Sequence, residues 1–253
     1  MVYFDYKGKH IYYKINSNDS NTVIIFIHGS GGDSNTWQNQ FKMSNDYSII
    51  ALDLPSHGKS EKFDNLSLDL YVDVLKTLVN SLNYERIFVC GHSLGGAIIQ
   101  SYYFLYPSDL TALILMSTGA KLRVSPAILE SLKKDYEVYL KNLNNVAFSK
   151  NTTNNIIEEY QDKSSSIGAE VTYQDFKICD NFDTLEKTNL INAPCLIICG
   201  IDDKLTPVKY SRYFNEKIEN SKLVLVEDAG HMVMLEKYEE VNSFIIKFIN
   251  DLN

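Results

Sequence analysis

The chain has 253 residues, enough for one large domain with a substantial core, and a formal net charge of −8 from 32 acidic and 24 basic side chains. That balance disfavours nucleic acid and anionic membrane as partners, and no Lys/Arg cluster of useful length interrupts it. No apolar run approaches a membrane span, and residues 1–7 lack the basic-then-apolar order of a signal peptide, so a cytoplasmic protein without stable membrane association is expected. In chain order, Val2 to Tyr6 and His10 to Ile15 are β-prone and Lys7-Gly8-Lys9 turns between them, predicting a hairpin. Thr22 to Ile27 is a continuous apolar run, as in a strand covered on both faces, and it empties into the glycine-rich loop His28-Gly29-Ser30-Gly31-Gly32. A short helix follows, capped near Ser34 or Asn35, with Trp37 and Phe41 on one face. Tyr47 to Leu52 is the next strand and Asp53 to Ser60 a polar loop marked by Pro55 and Gly58.

Leu68, Tyr71, Val72, Leu75, Leu78, Val79 and Leu82 repeat at helical spacing behind an N-cap at Ser67. Strands are expected at Ile87–Cys90 and Leu110–Met116, with a helix from Ser93 to about Leu105 between them. Strand and helix thus alternate, which predicts a parallel sheet with helices on both faces. The rhythm breaks from Ser117 to Lys187. One helix is expected from Ser125-Pro126 through Ile128, Leu132, Tyr136, Tyr139 and Leu143, and a second near Asn154 to Gln161. The remainder of that stretch is polar and shows no convincing strand, so we read a helical insert lying over the sheet's carboxyl edge. The alternation resumes with Cys195 to Cys199, a helix from Val208 to Ile218, a strand from Lys222 to Val226, and a closing helix with Val241, Phe244, Ile245, Phe248, Ile249 and Leu252 on one face. On one strand Cys195 and Cys199 would stand about 13 Å apart, beyond disulfide reach, so buried, reduced thiols are expected.

The stretch with the most chemistry is Gly91-His92-Ser93-Leu94-Gly95-Gly96, a serine between glycines at a strand-to-helix junction. In that setting Gly-x-Ser-x-Gly is a nucleophile elbow: the turn is so sharp that side chains two residues to either side would collide. The pattern alone is weak, and its context carries the argument. Ligands of an open parallel sheet sit beyond the carboxyl ends of its strands. The 28–32 loop, Ser93, the loop with Asp202 and Asp203, and His231 all fall there, in the order Ser, Asp, His. A serine hydroxyl needs an adjacent base to act as a nucleophile, the imidazole of His231 supplies one, and a carboxylate would fix the imidazole's tautomer. The backbone N–H of Leu94, next to the serine, is a candidate donor to a developing oxyanion. No histidine or aspartate pair has metal-ligand spacing, and neither metal nor cofactor is expected.

These pieces together resemble an α/β-hydrolase of the esterase/lipase-like branch. The matching motifs are His28-Gly29-Ser30-Gly31-Gly32, Asp53 to Ser60, Gly91 to Gly96, Gly200-Ile201-Asp202-Asp203-Lys204-Leu205-Thr206-Pro207 and Gly230-His231-Met232, and they span nearly the whole chain. One departure is Ser56, where the family usually has glycine. The resemblance implies a mostly parallel eight-stranded sheet with flanking helices, a core of residues 1–119 and 188–253, and a helical cap over residues 120–187. It implies a triad of Ser93, Asp203 and His231, with Asp203 favoured over Asp202 by the Gly-x-x-Asp spacing, and a second oxyanion donor in the backbone N–H of Ser30. His28 and His57 are expected to brace their own loops and His92 to pack behind the serine. The implied activity is hydrolysis of a small or medium carboxylic ester through an acyl-enzyme. The same triad also serves thioesterases, lactonases, carbon–carbon bond hydrolases and perhydrolases, and hydrolase-fold receptors keep it without turnover. The expected partner is a small ester-like molecule, and the sequence sets no oligomeric state.

Overall fold

The apolar runs become the strands of one eight-stranded sheet in the computed structural model, which describes residues 1–252. In chain order they are β1 (Val2–Tyr6), β2 (Lys9–Asn16), β3 (Thr22–Ile27), β4 (Ser48–Leu52), β5 (Arg86–His92), β6 (Ala112–Met116), β7 (Cys195–Gly200) and β8 (Ser221–Val226). Their order across the sheet is β1-β2-β4-β3-β5-β6-β7-β8. β1 and β2 pair antiparallel, as do β2 and β4, and every later pair is parallel. The hairpin closes with Tyr6 opposite Lys9 through Lys7 (φ +53°) and Gly8 (φ +80°), the two positive φ values of a tight turn matched to strand twist. β3, β4, β6 and β7 are buried at every residue, which is why they read as unbroken apolar runs.

Successive side chains of each strand serve opposite faces. Ile25 and Ile27 join one core with α1 (Leu68–Ser81), α2 (Leu94–Leu105) and α7 (Val208–Lys217), while Ile24 and Phe26 join another with Trp37 and α9 (Tyr238–Asn250). Ser67 caps α1 by accepting from Leu70 N–H at 3.1 Å. The chain leaves β3 outward to β4 and then crosses back to β5. The carboxyl ends of β3 and β5 therefore flank a topological switch point, the place where such sheets leave a crevice.

Several local expectations are corrected. The stretch after β3 forms two 3₁₀ turns, Ser34–Trp37 and Gln40–Met43, and the cap is Asp33, whose carboxylate accepts from Asn35 N–H at 2.8 Å. The first insert helix is two, α3 (Pro126–Lys134) and α4 (Tyr136–Ala147). Asp135 is extended (φ −160°) and accepts from Val138 N–H at 3.0 Å, so it starts a new helix where the apolar stripe suggested continuity. α5 (Asn154–Ile167) is longer than expected, and α6 (Ala169–Asn181) occupies a polar stretch of the insert for which no individual helix was expected. A short helix α8 (Val233–Glu236) precedes α9. Ser56, in place of the usual glycine, takes φ +69° and holds Phe63 N–H at 2.8 Å through its hydroxyl. All four cysteines are free and buried, and no described helix is long and apolar enough to cross a membrane.

Candidate active site

β5 ends at His92 and α2 begins at Leu94, so Ser93 alone makes the turn, with φ +53° and ψ −114°. A positive φ on a serine costs on the order of 1 kcal/mol or more and persists only where the surroundings impose it. Here Ser93 N–H donates to Met116 O at 3.1 Å, and Thr118 Oγ1 donates to Ser93 O at 2.8 Å. The flanking glycines are required by contact. A Cβ on Gly91 would lie 2.3 Å from Gly95 O, and one on Gly95 would lie 2.3 Å from Ile27 O. Ser93 Oγ makes no hydrogen bond among the described residues and opens into a cavity of about 70 Å³ that it shares with His231.

His231 follows β8 and is 5% exposed. Its Nδ1 donates to Asp203 Oδ2 at 2.9 Å. Asp203 lies in the loop after β7, and four donors fill its carboxylate. Oδ2 also accepts from Thr206 Oγ1 at 2.7 Å, and Oδ1 accepts from the N–H groups of Leu205 (2.9 Å) and Thr206 (2.8 Å). Burial alone would raise the Asp203 pKa, but His231 and the Thr206 donors outweigh it and hold the carboxyl below its ordinary value. Asp202 faces elsewhere: its Oδ2 accepts from Ser149 Oγ at 2.6 Å. The His231 backbone is fixed from two sides. Its N–H donates to Ala147 O at the end of α4 (2.8 Å), and its carbonyl accepts from His92 Nε2 at 3.0 Å. His92 thus braces the other histidine, with ring centroids 4.6 Å apart and a pKa held well below the usual histidine value by burial.

The N–H groups of Ser30 and Leu94 donate to no acceptor among the described residues. Leu94 is the first residue of α2, where an amide has no partner within the helix and the helix dipole favours negative charge. The peptide carrying Ser30 N–H is held at its other end. Gly29 O accepts from His28 Nδ1 (2.8 Å) and from Gly32 N–H (3.1 Å). His28 Nε2 accepts from Leu54 N–H at 3.1 Å, so the ring is neutral; burial pushes its pKa down to about 3. His28 therefore braces its loop, as expected. His57 does more than that: Nδ1 bonds Pro55 O at 2.9 Å, and Nε2 reaches Asp175 in α6, also at 2.9 Å.

The cavity is walled mainly by the insert, through Ile128, Tyr139, Leu143, Tyr160 and Phe176. Of the insert's tyrosines, Tyr139 and Tyr160 line it, while Tyr136 donates to Ser164 O at 2.8 Å. Among the described residues no three His, Cys, Asp or Glu side chains gather as a metal site. The sequence reading missed Thr206 and Asp175. A threonine three residues after an aspartate, in a loop leading to a helix, is the signal of a self-bonded Asx turn and marks Thr206. Asp175 had no signal, because its helix was not recognised.

A profile described as the alpha/beta hydrolase family matches residues 24–244. Over 97% of its length the chain is 28% identical to a Bacillus subtilis protein named "Uncharacterized hydrolase YugF", covering 96% of that protein. Among solved structures it is similar to a thermophilic esterase, with a TM-score of 0.89 and 35% identity over 100% of this chain and 98% of the other. The enol-lactonase of Burkholderia xenovorans LB400 shares the fold at a TM-score of 0.91, with 18% identity over 98% of this chain and 100% of that one. With the family profile spanning residues 24–244 of 253, the chain belongs to the alpha/beta hydrolase family.

Proposed function

We propose that this protein is a serine esterase that cleaves a small carboxylic ester through an acyl-enzyme on Ser93. The observation that carries the reading is the Asp203–His231 pair, bonded at 2.9 Å and opening on the cavity that holds the strained, unbonded Ser93. With Nδ1–H committed to Asp203, His231 keeps the lone pair of Nε2 for the serine proton. Ser93 Oγ attacks the ester carbonyl, and the carbonyl oxygen becomes an oxyanion received by the free N–H groups of Ser30 and Leu94. The imidazolium returns its proton to the alcohol as it leaves. Water then enters, His231 takes its proton, and the acyl group departs as the carboxylic acid. Asp203 remains ionised throughout, which its lowered pKa supports.

In this reading residues 120–187 form the cap and residues 1–119 with 188–253 the hydrolase core, and the four buried free thiols suit a reducing cytoplasm. At roughly 10–15 Å³ per water, the 70 Å³ cavity has room for about five to seven waters, which suits a small substrate. The test is turnover of p-nitrophenyl butyrate by Ser93→Ala alongside labelling with a fluorophosphonate. Loss of turnover and of label together is expected. Undiminished turnover in Ser93→Ala, or labelling at another serine, would refute the assignment.

A further inference from the structure

Three side chains of α6 reach the loop that carries Ser30. At Gly31 (φ +66°) a Cβ would stand 3.1 Å from Thr172 Oγ1. One turn further, Asp175 Oδ2 accepts from Gly31 N–H at 3.1 Å. One turn beyond that, Cys179 Sγ lies 3.6 Å from Ser30 Oγ. Thr172, Asp175 and Cys179 are all buried and form the inner face of the helix.

Asp175 is 0% exposed and ties together four parts of the chain. Besides Gly31, its carboxylate accepts from His57 Nε2 at 2.9 Å and from Tyr71 Oη of α1 at 2.7 Å. His57 also donates Nδ1–H to Pro55 O, so both ring nitrogens donate and the ring is an imidazolium. Burial opposes that charge, but Asp175 outweighs it and raises the His57 pKa. A buried ion pair is a poor source of net stability, since an apolar pair of equal volume often does as well. Its effect is to fix positions. The positions fixed here are the loops after β3 and β4 and the peptide of Gly31. The preceding peptide, which bears Ser30 N–H, is already held at Gly29 O. Ser30 is thereby clamped between two anchored peptide planes, one of them anchored from the cap.

We propose that Asp175 is a positioning residue for acyl transfer, holding the Ser30 amide in place for the oxyanion through Gly31. The inference rests on the reading of Ser93 as nucleophile and Ser30 N–H as oxyanion donor. It adds that the oxyanion loop is built jointly by core and cap. Phe176 and Cys179 of the same helix line the cavity, so a substrate filling it presses on the helix that sets the donor. Removing a whole oxyanion donor costs about 10²–10³ in kcat, so a misplaced one should cost less.

The experiment compares wild type, Asp175→Asn and the double variant His57→Gln/Asp175→Leu, with active sites counted by fluorophosphonate. The double variant removes both buried charges together and leaves neither unpaired, which keeps the test available if Asp175→Asn fails to fold. The expected result is a fall in kcat per active site of about 10- to 100-fold in the double variant, and in Asp175→Asn where it folds, with KM for p-nitrophenyl butyrate within about threefold. Affinity for a boronic acid that forms a tetrahedral adduct should fall in parallel. A lower melting temperature or fewer titratable sites, with kcat per site and boronate affinity within threefold of wild type, would make Asp175 merely structural and overturn the proposal. Turnover by Ser93→Ala would instead overturn the reading beneath it, so the two failures are distinct.

Discussion

Asp203→Asn tests the site most sharply because the structure dictates how the new amide must lie. Oδ1 of Asp203 receives two backbone N–H groups, from Leu205 and Thr206, at 2.9 and 2.8 Å. An amide NH₂ at that position would leave both buried donors unpaired, at about 1–3 kcal/mol each. The asparagine oxygen must therefore take the Oδ1 position and its NH₂ the Oδ2 position, 2.9 Å from His231 Nδ1. A donor there forces His231 to accept at Nδ1 and to carry its proton on Nε2. The lone pair that takes the serine proton is then gone, although size, shape and the two backbone bonds to Oδ1 are kept. An Asp→Asn exchange of this kind in a serine triad costs about 10⁴ in kcat, or roughly 5.5 kcal/mol of barrier. Asp202→Asn should change kcat less than threefold, because an amide oxygen can still accept from Ser149 Oγ. The assay is kcat on p-nitrophenyl butyrate, with melting temperature as the control for folding. If Asp203→Asn keeps more than a tenth of wild-type kcat, or Asp202→Asn is as damaging, the assignment of the carboxylate is wrong.

Gly95→Ala should destabilise by about 3 kcal/mol and abolish turnover in what still folds, because its Cβ would meet backbone oxygens at 2.3 Å (Ile27) and 2.8 Å (His28); normal melting would show that the elbow can yield. Leu143→Ala should enlarge the cavity and raise kcat/KM for an octanoate ester relative to butyrate by about tenfold, read from a chain-length series, because each methylene in an apolar pocket is worth about 1–3 kcal/mol. Stability should also depend on pH in two ways, measured by urea unfolding between pH 4 and 9. His28 (pKa about 3) and His92, both depressed by burial, are neutral when folded and take up protons on unfolding, so stability should fall as pH drops below about 6.5, by about 1.4 kcal/mol per pH unit for each proton. His57 has the opposite sign: its raised pKa gives stability that is full below about pH 6.5 and lost as pH rises through the folded value. His57→Gln/Asp175→Leu should flatten that alkaline limb, and an unchanged limb would contradict the buried imidazolium.

The hydrolase core was legible because its physics is written in apolar residues. β3 was read to the residue, and the α1 stripe with its Ser67 cap came within one, since burial on both faces or on one helical face leaves an unmistakable period. Ser93, Asp203 and His231 could be proposed because their motifs fall at strand ends that sheet topology brings to one rim, while the preference for Asp203 over Asp202 rested on the local Gly-x-x-Asp spacing of the resemblance. The insert was harder. Asp135 interrupts a stripe that otherwise runs from Ile128 to Leu143, and a cap is a single side chain's competition for an amide, which an apolar count cannot see.

The helix that was missed is the most instructive. α6 buries Thr172, Asp175 and Cys179, spaced three and four apart, so its buried face follows the helical period in polar and thiol side chains. A hydrophobicity pattern is blind to it, because hydrogen bonds and a buried charge pair fix the position of this face, while Tyr173, Phe176 and Ile178 beside it pack against the core. Such a face needs partners placed to within a fraction of an ångström, and here they are the Gly31 amide, His57 and Tyr71. A helix seated by packing alone could slide or repack at modest cost. One seated by a carboxylate with three donors cannot leave without stranding an ion, so the cap is fixed to the core where the reaction would need it rigid. The polarity that hid α6 in the sequence is therefore the property that suits it to hold the loop of Ser30 and Gly31.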